Sequence, residues 1–151
     1  MKVQVIKQYS VFMPNKPGAL SRLATLIAQE KINILGIASE VRDDSGMVRF
    51  AVAEEAPNRK PDEFSRIPEA PRMNVSDILS KGGFSSVESS LISVEVTDKP
   101  GELARLTKEL GEGNVNITTV YGTSLAGRYS RILFAVENTE KARALLESVK
   151  A

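Results

Sequence analysis

Asn15-Lys16-Pro17-Gly18-Ala19-Leu20 returns 83 residues later as Asp98-Lys99-Pro100-Gly101-Glu102-Leu103. Each hexapeptide follows a run rich in β-branched and aromatic residues and opens a run with helical spacing of apolar side chains. Sliding residues 15–37 by 83 gives eight identities, at Lys16, Pro17, Gly18, Leu20, Arg22, Leu23, Asn33 and Ile34. Phe50-Ala51-Val52 returns as Phe134-Ala135-Val136, at an offset of 84, so one residue has been added in between, most simply in the second hairpin. The chain reads as two copies of one unit.

Outward from the first hexapeptide, Val3 to Met13 reads as a long strand ending at Pro14. Pro17 is expected near the first helical position, where its missing N–H costs nothing. Leu20, Leu23, Ala24 and Ile27 follow at i, i+3, i+4 and i+7, one apolar helix face closing near Glu30-Lys31. Ile34 to Arg42 and Val48 to Val52 read as strands about an Asp43-Asp44-Ser45-Gly46 turn. Asn74 is placed to cap a short helix ending at Gly82-Gly83, and a fourth strand follows from Phe84 to Leu91, running almost without a break into the next one. The second copy repeats the order: a strand to Thr97, a helix with Leu103, Leu106 and Leu110 on one face, two strands about Ala126-Gly127, and a helix from Thr139 to Val149.

Each unit is therefore β-α-β-β-α-β. The fold class is α+β, with two ferredoxin-like units, each an antiparallel four-stranded sheet with helices on one face. The expected organisation is a first unit over 1–72 plus 73–91 and a second over 92–151. Residues 54–72, with four of the seven prolines, read as an exposed insertion. The second copy runs out of chain before its last strand. Two arrangements fit: strand 3–6 completes the second unit, or it only extends the first strand and leaves that edge open.

Composition narrows the chemistry. Twenty Lys and Arg balance nineteen Asp and Glu, so no global field draws nucleic acid or an anionic membrane. There is no cysteine and no histidine, which removes thiolate catalysis, Cys-ligated metals and the commonest general base. No cofactor, metal site or catalytic residue is expected, and the protein reads as no enzyme. No run approaches the roughly 20 apolar residues of a membrane span, and the N-terminus lacks a signal-peptide core, so a cytoplasmic location is the expectation.

A strand, then [Asn/Asp]-x-Pro-Gly-x-Leu, an amphipathic helix, and Asn-Ile opening the next strand resembles the ACT domain. Both copies match, at Asn15 to Leu20 with Asn33-Ile34 and at Asp98 to Leu103 with Asn116-Ile117. The resemblance covers nearly the whole chain outside the insertion, and the chain is similar to stand-alone tandem ACT proteins. It implies a regulatory, allosteric module that binds a small ligand, usually an amino acid, at interfaces between paired domains. The partners expected are an amino acid, a second copy in a homodimer and a metabolic enzyme. The alternative is an interaction subunit of an amino-acid biosynthetic enzyme, with no ligand of its own.

The residues support the same use. A helix N-terminus offers free N–H groups and a positive dipole end, so a ligand carboxylate fits the amides of Gly18, Ala19 and Leu20, or of Gly101, Glu102 and Leu103. Asn15 or Asp98 can accept from an α-ammonium group. Asn33 and Ile34, and Asn116 and Ile117, lie beyond the helix and would meet a ligand from a facing unit. Asp98 carries a charge that Asn15 lacks, so the second corner is expected to hold a zwitterion more tightly. The same residues also fit ordinary punctuation: Asn or Asp before Pro-Gly starts helices, and Asn before Ile is a helix-exit residue that tolerates positive φ.

Overall fold

The structure, a computed structural model, describes residues 1–52, 74–125 and 127–149. The insertion expected over 54–72 lies outside the described residues. Elements follow in the order β1 (Lys2–Pro14), α1 (Ala19–Gln29), β2 (Ile34–Arg42), β3 (Ser45–Val52), α2 (Val75–Lys81), β4 (Ser85–Thr97), α3 (Glu102–Glu112), β5 (Ile117–Leu125), β6 (Tyr129–Val136) and α4 (Thr139–Ser148). Two compact units result, one formed by Tyr9–Glu88 and one by Met1–Gln8 with Ser89–Ala151. Both are α+β and ferredoxin-like.

In the Tyr9–Glu88 unit the strand order is β2-β3-β1-β4. Tyr9 and Val11 of β1 and Val48, Phe50 and Val52 of β3 alternate onto one face of the sheet and pack with Leu23 and Ile27 of α1 and Leu79 of α2. Period two on the strands thus meets period 3.6 on the helices in one core. Full burial of side chains of this size stabilises by about 1.5–3 kcal/mol each. The Tyr9 and Phe50 rings lie 5.6 Å apart at the centre of this core. Asn74 caps α2 by accepting from the Asp77 N–H at 3.1 Å.

In the other unit the order is β1-β4-β6-β5. Ile92, Val94 and Val96 of β4 and Ile132 and Phe134 of β6 pack with Leu106 and Leu110 of α3 and Ala142 and Leu146 of α4. Val3 of β1 packs against this cluster. Asn138 caps α4, accepting from the Lys141 N–H at 3.1 Å, a cap the sequence reading passed over.

The duplication extends to irregularities. β2 pairs antiparallel with β3 and slips register between Ile34 and Gly36, and β5 pairs antiparallel with β6 and slips between Ile117 and Thr119, 83 residues on. The added residue sits in the second hairpin, as expected. Two residues separate Arg42 from Ser45, and three separate Leu125 from Tyr129.

Three local readings need correction. Pro17 is not a first helical residue, because α1 begins at Ala19 and Gly18 caps it with φ +88°. Lys16 to Ala19 is a turn closed by Ala19 N–H to Lys16 O at 3.3 Å. Pro at its second position and a positive-φ glycine at its third make it type II, and a left-handed residue cannot begin a right-handed helix. Leu20 and Leu103 do not complete the apolar stripes: they are 47% and 49% exposed, and burial on these faces falls to Leu23 and Ile27, and to Leu106 and Leu110. Finally, positive φ at the helix exits belongs to Lys31 and Asn114, both at 56°, and not to Asn33 and Asn116.

Candidate functional site

The two strand–turn–helix corners share one backbone. Gly18 and Gly101 have φ of +88° and +93°, and a Cβ built on either meets nothing within 4 Å. Glycine is required here by conformation alone, and the space above each corner is open. No side chain caps either helix. The first helical bonds run from Arg22 N–H to Gly18 O at 3.0 Å and from Arg105 N–H to Gly101 O at 2.9 Å. The amides before them carry the positive end of each helix dipole. Each corner is moored to the hairpin beside it, Asn15 N–H to Asp44 O at 3.1 Å and Asp98 N–H to Arg128 O at 3.2 Å.

The side chains differ. Asp98 accepts from the Ser124 hydroxyl at 2.5 Å, the Ser130 hydroxyl at 2.7 Å and the Gly127 N–H at 3.4 Å. These donors, the Ser124 hydroxyl foremost, hold its carboxyl below the ordinary aspartate value. The charge expected to strengthen ligand binding at this corner is instead engaged within the fold. In the first copy Val41 and Gly46 stand, cross-strand partners of each other, where Ser124 and Ser130 pair in the second. Asn15 has no such donors, and its side chain bonds no described residue.

Glu102 is the second difference. It is the only charged residue among the buried described residues, at 8% exposure. Its carboxylate meets Arg105 Nη2 at 2.6 Å and Lys99 Nζ at 3.7 Å. The Arg105 hydrogen bond dominates, Lys99 adds to it and burial opposes, with the net result that the carboxyl sits below the ordinary glutamate value. Glu102 thus brings the protein's own anion to the first turn of α3, whereas the corresponding residue of α1 is Ala19 and its first turn has no acidic residue.

Within each unit the candidate residues fall into two groups. Asn15, Gly18, Ala19 and Leu20 gather at one end of α1. Asn33 and Ile34 follow the other end, and eleven helical residues put about 16 Å between them. The same holds for Asp98, Gly101, Glu102 and Leu103 against Asn116 and Ile117. Ile34 and Ile117 are part-buried against their cores. Asn116 donates to Glu137 Oε1 at 3.2 Å, while Asn33 is exposed. No unit alone joins its corner to its Asn-Ile.

The repeated arginines have separate duties. Arg22 donates to Gly82 O at 2.8 Å and stacks 4.0 Å above the Phe84 ring, and Arg105 pairs with Glu102. Among the described residues no cluster of acidic side chains could hold a metal ion. No described helix is long and apolar enough to cross a membrane.

Comparison with known proteins places this geometry. The ACT domain family model matches residues 10–63. A search of curated proteins finds no match. Among solved structures, a protein from Bacteroides thetaiotaomicron superposes with a TM-score of 0.75 at 22% identity, over 96% of this chain and 88% of that one. The regulatory subunit of aspartate kinase from Thermus thermophilus superposes at 0.62 with 14% identity, over 100% of this chain and 98% of that one. That of Thermus flavus gives 0.56 at 14%, over 97% and 95%. At these identities the likeness is one of fold.

Proposed function

We propose that the protein is a non-enzymatic regulatory protein built of two ACT-like units, with 54–72 an insertion in the first, that binds an amino acid and works as a homodimer. The ligand would lie at an interface between units, its carboxylate on the Gly18, Ala19 and Leu20 amides and its ammonium near Asn15, with Asn33 and Ile34 or Asn116 and Ile117 facing it from another unit. The Gly101, Leu103 and Asp98 corner is the related second position, where Glu102 competes for the same dipole. Binding would shift the protein between states of different affinity for a partner.

One observation carries this reading: an uncapped helix N-terminus under open space, built twice with the same left-handed glycine, in a chain whose residues 10–63 match the ACT domain. The separation of each corner from its own Asn-Ile supports a ligand held between units. A thermal-shift screen of the twenty amino acids tests it. At least one should raise Tm in a concentration-dependent way, as ligand linkage requires, and no stabilisation by any of them would overturn it.

A second reading is an interaction subunit that regulates a biosynthetic enzyme without a ligand of its own. It is favoured by the likeness in fold to regulatory subunits of aspartate kinase. Stable co-purification with an enzyme, alongside an empty amino-acid screen, would select it.

A further inference from the structure

β2 and β5 are corresponding strands of the two copies, each following an Asn-Ile step and each laddered to the strand after it. Their side-chain ties differ. At the start of β5, Asn116 donates to Glu137 Oε1 at 3.2 Å. Near its end, the Ser124 hydroxyl donates to Asp98 at 2.5 Å. At its middle, the Tyr121 hydroxyl donates to Gln8 Oε1 at 3.0 Å, and Gln8 Nε2 in turn donates to Ser89 Oγ at 3.1 Å. All of these residues belong to the unit of Met1–Gln8 with Ser89–Ala151. Tyr121 pairs with Leu133 and Leu133 with Ser93, on the face away from α3 and α4. Gln8 lies on β1, beyond both β6 and β4. Three strand spacings are about 14 Å, a span that one tyrosine and one glutamine cover only together. Gln8 is 4% exposed, and a buried amide left without its partner bears the full cost of desolvation.

β2 has the opposite composition. Ala38 stands where β5 has Tyr121 and Val41 where it has Ser124, at the offset of 83. Ala53 stands in the sequence where the second copy has Glu137, at the offset of 84. None of the three offers a polar side chain. Among the described residues the side chains of β2 are tied only through Glu40, to Arg49 of the adjacent β3 at 2.9 Å.

We propose that Tyr121 is a positioning residue that straps β5 to β1, so that the Asn116-Ile117 segment is a fixed wall for the ligand and the Asn33-Ile34 segment, on untied β2, is the wall that adjusts. This rests on the proposed function, in which a ligand meets one of those segments. A strand held by buried bonds across its sheet opens at a cost nearer that of global unfolding, and one held by its ladder alone opens more readily. Duplication has thus given two copies of one strand different freedom.

Hydrogen exchange of the full-length protein, read peptide by peptide, tests this without a ligand. In the wild type, 117–125 should exchange more slowly than 34–42. Tyr121→Phe removes one hydroxyl and should quicken 117–125 and 2–8 together, by roughly tenfold, with 34–42 unchanged. Equal wild-type rates in the two strands, or a quickening of 117–125 that leaves 2–8 as it was, overturns the strap. Quickening of all three alike is the mark of lost global stability and overturns it as well. Adding the amino acid that most raises Tm to the wild type should slow 34–42 and leave 117–125 as it was, and equal slowing in both overturns the assignment of the walls. An amino-acid screen without a hit overturns the proposed function, and the ligand-free comparison then decides the strap alone.

Discussion

The corners at Gly18 and Gly101 are alike in backbone and unlike in charge. Both are type II-like Lys-Pro-Gly turns with glycine at positive φ, and both are moored to the neighbouring hairpin by one main-chain bond. The second sets its own carboxylates beside that open space, Asp98 on the hairpin hydroxyls and Glu102 on the helix start. The first has Asn15 and Ala19 at those positions and no acidic residue in its first turn. Duplication therefore kept what the backbone requires and let the electrostatics diverge. The dipole end of α3 therefore has the protein's own anion beside it, and that of α1 has none.

Substitution can break the shared part or exchange the differing part. The largest expected effect is from Gly18→Ala and Gly101→Ala. Each forces a side chain into the left-handed region and should cost roughly 1–2 kcal/mol by denaturant unfolding. Equal losses would mark the turn as the common device, and a negligible loss at either would separate the two backbones.

Acid should distinguish the corners next. Asp98 and Glu102 have folded pKa values below their ordinary ones. Their contributions are therefore complete above the unfolded carboxylate range and are lost as pH falls through the depressed folded values. Asp98→Asn and Glu102→Gln should each lower Tm at neutral pH and flatten its decline between about pH 5 and pH 2. Asn15→Asp has no hydroxyls to receive its charge, and its profile should follow the wild type. The smallest expected stability change is Ala19→Glu, which places a carboxylate at the start of α1 and should stabilise by about 0.3–1 kcal/mol at low salt. Salt should weaken that gain, and a gain indifferent to salt would argue against a dipole origin.

Much of this was legible in the sequence, because its signals are local. The repeat, the alternation of strands and helices and the cap at Asn74 rest on periodicity and turn chemistry over a few residues, whereas the two strands read on either side of Leu91 are the single strand β4. What escaped was set by tertiary context. Leu20 and Leu103 share the apolar spacing of their helices but fall where the core no longer reaches. Asp98 gains its donors from Ser124 and Ser130, 26 and 32 residues away, so its charge looked free until the hairpin was in place. Pro17 read as a helix start because Pro-Gly fits both that and a type II turn, and only the +88° of Gly18 separates them. The candidate ligand residues were named in two groups, and the fold keeps those groups at opposite ends of each helix.

The central claim is that the α1 corner receives the ligand's carboxylate. Calorimetric titration of the amino acid that most raises Tm, into the wild type and into Ala19→Glu, tests it most directly. The account predicts that Ala19→Glu folds with equal or greater stability and loses affinity at least about tenfold, or about 1.4 kcal/mol. Superimposable isotherms for the two proteins would contradict it.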